Sequence, residues 1–330
     1  MDKPYAIGID VGGTSTAVGI VDRKGTILFD DSIDTLFSDS NRTVRYTDWE
    51  DYVNKLSVLI SNLVENNGLN DKIIGIGIGA PNGNMNNGTV ENAVNIPWAK
   101  GVIVPLVTKL EEKTGLPCKL TNDANAAAMG EMAYGAAKGW KDFIEITLGT
   151  GLGSGIVSNG KLVVGHDGFA GELGHVRVVR ENGRLCGCGR CGCLETYASA
   201  TGVARTAREF LEMQPERESN LREIVHRPIT SEDVYDAAKK GDKLAIEIFN
   251  FTGRILGEAL SDFIAFSSPK AFVLFGGLAN SGDFLLAPLK KAMEEHVLFV
   301  YKEKTNIVIS ELNKRKENAA ILGASALAWE

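Results

Sequence analysis

Apolar and polar positions along this chain follow two rhythms, short unbroken runs and helical spacing. Residues 5–11 (YAIGIDV) are a run that predicts a buried strand, stopping at Gly-Gly-Thr. Residues 17–22 (AVGIVD) predict a second strand, and TILFDDSI, beyond an Arg-Lys-Gly turn, a third. Tyr52, Leu56, Leu59, Ile60 and Leu63 lie on one helical face and predict a helix over 50–66. KIIGIGIGAP then reads as a strand ending in Gly-Ala-Pro. A helix around 103–114, a short strand CKLTND and an alanine-rich helix over 124–136 follow.

Residues 143–149 (FIEITLG) begin the pattern again. IEITLGTGLGSGIVSNGKLV can be laid beside IGIDVGGTSTAVGIVDRKGTIL as strand, Gly-Thr turn, strand, glycine turn, strand. This is an internal duplication of a supersecondary unit. It implies two similar α/β lobes, with a ligand-binding cleft expected between them. Residues 201–265 read as mostly helical, with a polar break near PERESNLREIVHRPITS. A strand at 271–277, a helix at 283–296, a strand at 305–310 and a C-terminal helix complete the chain. The expected division is a first lobe over 1–120, a larger second lobe over 121–317, and a C-terminal helix over 318–330 packing back on the first.

Composition narrows the class of function. The 330 residues are 44% hydrophobic and 23% charged, as in a soluble globular protein of two domains. A net charge of −7 argues against a nucleic-acid partner. No apolar run is long enough to span a membrane and no secretory leader is evident, so a cytoplasmic protein is expected.

Two features carry candidate chemistry. Cys186, Cys188, Cys191 and Cys193 cluster shortly after GELGH (171–175). In a reducing compartment such a cluster reads as a metal site, and His175 with three of the thiolates would complete a zinc tetrahedron. Such a metal would hold still the two nearby carboxylates, Glu172 and Glu195. The second feature is a set of glycine turns at strand ends: Asp10-Val-Gly-Gly-Thr14, Thr147-Leu-Gly-Thr-Gly151 and Gly276-Gly277. Backbone N–H groups in such turns form anion-binding nests. Neither a Walker A sequence nor the protein-kinase set is present. Asp123, on its residue type alone, suits the N-cap of the helix that follows it. Cys118 suits a small buried hydrophobe, His166, His226 and His296 suit surface or satisfied histidines, and Trp98 and Phe169 suit either a pocket or a core.

Taken together, DVGGT, TLGTGLGSG and FGG resemble the phosphate and adenosine motifs of the sugar kinase/actin/hsp70 superfamily. GELGH with CGCGRCGCLE is similar to the signature of the ROK family of sugar kinases and repressors, and the resemblance spans the chain from Ile7 onward. It implies two ribonuclease-H-like, actin-like ATPase lobes built from a duplicated βββαβα unit. It implies an ATP-dependent hexose kinase, most readily a glucokinase, with Asp123 as general base toward a sugar hydroxyl, expected to be O6. Asn95, Asn122, Asp123 itself, Glu172, His175 and Glu195 would bind the sugar. Asp10, Gly12, Gly13, Thr14, Thr147, Gly149, Thr150, Gly151, Gly276 and Gly277 would bind ATP, with Asp10 near Mg²⁺. His175, Cys186, Cys188 and Cys193 match the family's structural zinc ligands, and Cys191 falls at a variable position. A dimer or tetramer is implied as well. Repressor members carry a helix-turn-helix before the sugar domain, and a first strand beginning by Tyr5 favours the kinase branch. Within the enzyme class, an N-acetylmannosamine kinase, fructokinase, mannokinase or allose kinase stays open, and outside it a non-catalytic sugar sensor is the remaining alternative. The chain departs from the family at Asn82, where a glycine is common, and at Asn95-Ile-Pro-Trp98, one glycine short. Both departures bear on which hexose is used.

Overall fold

The first apolar run forms β1 (Tyr5–Val11), whose Ala6, Ile7, Ile9 and Val11 are buried. The chain turns back through β2 (Ser15–Asp22) and β3 (Ile27–Asp34), both antiparallel to their neighbours. These coordinates are a computed structural model that describes residues 3–35, 48–315 and 318–330. Helix α1 (Trp49–Asn66) starts where the Asp48 side chain accepts from Asp51 N–H, with Glu50 and Asp51 complementing the helix dipole. It turns Tyr52, Leu56 and Ile60 inward, as their spacing predicts. β4 (Ile73–Gly79) then runs parallel to β1.

A small antiparallel sheet follows that the sequence does not announce: β5 (Gly83–Asn84), β6 (Thr89–Glu91) and β7 (Ile103–Val104). Its strands are too short to show a period, and two of them flank an asparagine-rich turn. β7 also corrects the helix expected around 103–114. Val104 pairs with Val90, and Pro105 has no N–H to give, so α2 spans only Leu106–Thr114. β8 (Cys118–Thr121) runs parallel to β4 and leads into α3 (Asp123–Tyr134).

The second repeat builds β9 (Phe143–Leu148), β10 (Leu152–Ser158) and β11 (Lys161–Leu162). The helical stretch resolves into α4 (Glu195–Ala198), α5 (Ala200–Met213), α6 (Ser231–Lys239) and α7 (Lys243–Ser267). β12 (Ala271–Phe275), α8 (Asp283–His296), β13 (Asn306–Ile309) and α9 (Ala319–Ala326) complete the order. β12 stops two residues before its expected end because Gly276 takes φ 101° and Gly277 opens a 3₁₀ turn. The two large sheets have the orders β3-β2-β1-β4-β8 and β11-β10-β9-β12-β13. Position by position these are one topology, which is the sequence duplication expressed as structure.

The chain divides into two compact units. One comprises 1–141, 155–171 and 310–330, the other 142–154 and 172–309. Helix α3 thus belongs with the first unit, although the sequence suggested a boundary at 120/121. In that unit α9 lies directly on β1. A Cβ at Gly8 would stand 2.0 Å from the Ile321 carbonyl oxygen, so only glycine permits this approach. In the second unit α7 packs on α8 through Gly253 and Gly257, which lie under Leu285 and Leu289.

Candidate active site and metal centre

Parallel register assembles the first group of residues. Asp10 is level with Gly79, and Gly79 with Thr121, so the turns after β1, β4 and β8 emerge along one edge. The carboxyl ends of parallel strands are where open α/β sheets bind ligands. Asp10 is the penultimate residue of β1 and Asp123 opens α3 at this edge. Burial, together with the negative charge of Asp123, pushes the Asp10 carboxyl up to about 6. The turn after Asp10 is closed by Gly12 N–H donating to Ser15 O (3.0 Å), and Thr14 is exposed at its tip. Asn95 is exposed, and its carbonyl oxygen is 3.8 Å from where a Gly13 Cβ would stand.

The capping role available to Asp123 belongs instead to Asn122, whose Oδ1 accepts from Asn125 N–H at 2.7 Å. Asp123 is the first residue of the helix proper, and its Oδ1 accepts from Ala124 N–H at 2.9 Å. Among the described residues its other oxygen accepts no hydrogen bond from the helix end. Asn82 takes φ 53°, a left-handed conformation that asparagine tolerates better than other side-chain-bearing residues. Its Nδ2 donates to Glu91 O (3.0 Å) and Asn92 O (3.2 Å), tying the turn to β6. Trp98 is buried, stacked on Tyr52 with ring centroids 4.0 Å apart, so it serves the core.

The Asp10 carboxyl gives a pH prediction. A folded value near 6 against an ordinary 3.8 means that the folded protein holds the proton more tightly between those limits. Stability therefore falls as pH rises through that window, and the full cost, about 3 kcal/mol, is present at pH 7. In metal-free buffer Asp10→Asn is expected to gain about that much on the native protein between pH 4 and pH 7. Urea unfolding at the two pH values measures it; an unchanged difference would contradict the burial of this charge.

In the second unit Thr147 is level with Phe275 across β9 and β12, so the turns 148–151 and 276–277 also share an edge. Thr147 Oγ1 accepts from Gly153 N–H (3.0 Å), and Gly149 N–H donates to Gly151 O (3.1 Å). Gly149 and Thr150 line a cavity of about 480 Å³ with Gly277 and Leu278. Ser231, Glu232 and Tyr235 of α6 form its further wall. Those three residues escape sequence reasoning, because α6 carries only an amphipathic pattern and a Thr230/Asp233 capping box.

The cysteine cluster lies in the same unit. One ligand atom from each of His175, Cys186, Cys188 and Cys193 can be chosen so that all lie within 4.8 Å of one another. Cys188 Sγ is 3.7 Å from Cys193 Sγ, and Cys186 Sγ is 3.7 Å from His175 Nδ1. Zinc bonds of about 2.3 Å to sulfur and about 2.0–2.1 Å to nitrogen give tetrahedral edges of about 3.6–3.8 Å. The donor set and its spacing therefore fit a four-coordinate zinc. Burial opposes ionisation of the Cys188 thiol, but backbone and side-chain donors of Arg190 outweigh it and bring it down to about 6. Cys191 stands outside the cluster, with its carbonyl accepting from Arg177 Nε (3.0 Å). Cys118 is buried on β8, its thiol pushed to about 12 by burial and by Glu111.

Both acidic candidates border the cluster. Glu195 Oε1 accepts from Cys186 Sγ (3.2 Å), and Oε2 accepts from Leu152 N–H (3.2 Å). A Cβ at Gly151 would meet Glu195 Oε2 at 2.5 Å, so the glycine of the turn makes room for this carboxylate. Glu172 Oε2 is 3.9 Å from His175 Nε2 and about half exposed. A second fastener holds the loop to α4 and α5, and the sequence gives no sign of it. Arg184 N–H donates to Tyr197 Oη (2.9 Å), and its guanidinium donates to Thr196 O (2.7 Å) and Thr206 Oγ1 (2.9 Å). Glu209 pairs with the same guanidinium.

Comparison with known proteins gives a consistent answer. The model of the ROK family matches residues 6–330. A glucokinase of Halalkalibacterium halodurans is 38% identical over 299 residues, which is 90% of this chain and 88% of the relative. A glucokinase of Thermotoga maritima is 34% identical over 334 residues, covering 100% and 99%. The crystal structure of a ROK family glucokinase from Streptomyces griseus, in complex with glucose and AMPPNP, superposes with a TM-score of 0.75 at 34% identity, covering 98% of this chain and 99% of that one.

Proposed function

The chain belongs to the ROK family, and from that premise we propose that it is an ATP-dependent hexose kinase, with glucose as the expected acceptor. The observation that carries this reading is the placing of Asp123 beside Asp10 at the ligand-binding edge of the first sheet, with the helix cap supplied by Asn122. A carboxylate spared from capping is available to accept a proton. In the proposed reaction Asp123 takes the proton of the sugar hydroxyl, O6 in a glucose, as that oxygen attacks the γ-phosphate. A positioned base contributes about 10²–10⁴ in rate.

Phosphoryl transfer otherwise needs alignment and charge neutralisation. Mg²⁺ bound with ATP would supply the neutralising charge, and Asp10 is the carboxylate assigned to hold it. The turns of Gly12, Gly13 and Thr14 and of Gly149, Thr150 and Gly151 are assigned to phosphate oxygens; the N–H groups of Gly12 and Gly149 close the turns, and the remaining groups of the turns would donate to the phosphates. Gly276 and Gly277 border the cavity that would take the nucleoside. Asn95, Asn122, Glu172, His175 and Glu195 are assigned to sugar hydroxyls, each carboxylate accepting from one or two of them. His175 would ligate zinc through Nδ1, which faces Cys186, leaving Nε2 on the Glu172 side for a hydroxyl. Zinc would be structural, because four protein ligands leave no open position.

The test is ADP release with ATP and Mg²⁺ against glucose, mannose, fructose, allose, N-acetylglucosamine and N-acetylmannosamine. A preference for glucose is expected. Glu195→Gln is expected to raise the KM for that sugar at least tenfold, in line with the cost of leaving a hydroxyl site unmatched, with the KM for ATP little changed. Absence of turnover with every sugar would overturn the kinase reading, and a selective ATP defect in Glu195→Gln would overturn the assignment of that residue.

A further inference from the structure

Within the second unit, the turn after β9 is held by the beginnings of α4 and α5. Three successive peptide groups of the turn bond to residues 195–201. Gly149 O accepts from Ala200 N–H at 2.9 Å. Thr150 O accepts from Thr201 Oγ1 at 2.7 Å. Leu152 N–H donates to Glu195 Oε2 at 3.2 Å. Of these partners, Ala200 gives a backbone group and Glu195 gives the carboxylate already assigned to the sugar. The Thr201 hydroxyl has no part in the reaction as described so far.

The proton positions follow from the partners. A carbonyl only accepts, so Thr201 gives its one hydroxyl proton to Thr150 O. The Ser199 hydroxyl, 3.0 Å away, then donates to Thr201 Oγ1. Ser199 Oγ in turn accepts from Gly202 N–H at 3.0 Å, as the N-cap of α5. One chain of donors thus runs from the first turn of α5 to the Thr150 carbonyl, each bond polarising the next. In a trans peptide the carbonyl and the N–H point to opposite sides of one rigid plane. The Gly149 carbonyl shares its plane with Thr150 N–H, and the Thr150 carbonyl shares its plane with Gly151 N–H. Pinning both carbonyls to α5 aims both N–H groups the other way and, by polarisation, makes them better donors. Gly149 N–H is committed to Gly151 O, and Leu152 N–H to Glu195. The donors that this turn offers a phosphate are therefore the N–H groups of Thr150 and Gly151. We propose that Thr201 is a positioning residue for phosphoryl transfer, its hydroxyl setting the peptide plane that points Gly151 N–H at the nucleotide phosphates. The inference rests on the assignment of this turn to phosphate oxygens.

The test is calorimetric binding of AMPPNP with Mg²⁺ to the intact chain and its variants, with the hexose alone as control ligand. Thr150 and Thr201 are both exposed, so in Thr201→Val water replaces the lost donor without fixing the plane. Valine keeps the branched shape, and the variant is expected to keep its thermal midpoint while its Kd for AMPPNP rises about 3–10-fold, the worth of one hydrogen bond. Thr201→Ser keeps the hydroxyl and is expected to match the wild type. The Kd for the hexose is expected to stay unchanged in both, and in turnover the KM for ATP rises in Thr201→Val while the KM for the hexose does not. Ser199→Ala separates this role from helix capping. It removes the cap of α5 and is expected to lower the thermal midpoint, but Thr201 still reaches Thr150 O, so AMPPNP binding weakens less than in Thr201→Val. An unchanged Kd for AMPPNP in folded Thr201→Val, an equal loss of AMPPNP and hexose binding, no rescue in Thr201→Ser, or a loss as large in Ser199→Ala would overturn the proposal. Weaker AMPPNP binding by Thr201→Val in a chain that turns over no hexose would support it while overturning the kinase reading. A wild-type chain that binds no AMPPNP would overturn both.

Discussion

Asp123→Asn is expected to lower kcat about 10²–10⁴-fold while the hexose still binds. Asparagine has the shape of aspartate and can still accept from Ala124 N–H through its carbonyl oxygen, so the first turn of α3 stays as it is. What it lacks is a carboxylate able to take a proton. The variant separates chemistry from architecture because the architectural task falls to the neighbouring residue: Asn122 caps the helix. Loss of that cap, as in Asn122→Ala, costs about 1 kcal/mol of stability, an effect of a different kind. Asp123→Asn also removes the negative charge that helps to raise the Asp10 carboxyl, which is expected to fall from about 6 toward its ordinary value. Carbon-13 titration of Asp10 reads that fall without any turnover, and it shows that the variant is folded with the pair intact. Single-turnover kinetics and calorimetry with the sugar complete the test. A retained rate would sink the assignment of Asp123 as base.

The elements that could be read from the sequence are those whose hydrophobic pattern matches their burial. β1, β9 and β12 are mostly apolar runs, not alternating ones, because both faces of a central strand are covered, and α1 shows its inward stripe at the expected spacing. The duplication was legible because it repeats strand, glycine turn and strand at matching places, and the two sheets repeat one order. The three-stranded sheet of β5, β6 and β7 was hidden, since strands of two or three residues carry no period. Of the candidate site, the residues that announce themselves are those whose chemistry is unusual by type: glycines at strand ends, and cysteines after a histidine. Arg184, and the α6 residues Ser231, Glu232 and Tyr235, stayed hidden. An arginine in a polar loop and an amphipathic helix look alike whether they face solvent or a site. Asn82 could be read only as a departure until its backbone angle was known. At φ 53° it holds the left-handed conformation that glycine favours, and its side chain donates two hydrogen bonds.

Cys186→Ser is expected to abolish metal binding and, with it, most of the affinity for the hexose. Cys186 touches both halves of the arrangement: its Sγ is 3.7 Å from His175 Nδ1 and 3.2 Å from Glu195 Oε1. A metal at the cluster would fix the histidine ring and, next to it, the carboxylate assigned to the sugar. Groups that orient metal ligands and their neighbours are commonly worth about 10–100-fold in affinity or activity, and a rise of that size in the hexose KM is the expected result. The effect on folding is expected to be smaller than in isolated zinc modules, where binding supplies about 10–16 kcal/mol and the apo chain is unfolded. Here Arg184 holds the same loop to Thr196, Tyr197 and Thr206 without any metal, so the loop loosens while α4 and α5 stay packed. The native protein is accordingly expected to contain one zinc per chain by elemental analysis. Its removal by a chelator should lower the thermal midpoint and raise the hexose KM while sparing the KM for ATP. Adding Arg184→Ala to Cys186→Ser removes both fasteners, and the loss of stability should exceed the sum of the two single losses, because each fastener holds the loop when the other is gone. Native protein free of zinc would defeat the metal assignment, and an equal rise in both KM values on chelation would place the cluster's influence elsewhere than on Glu172, His175 and Glu195.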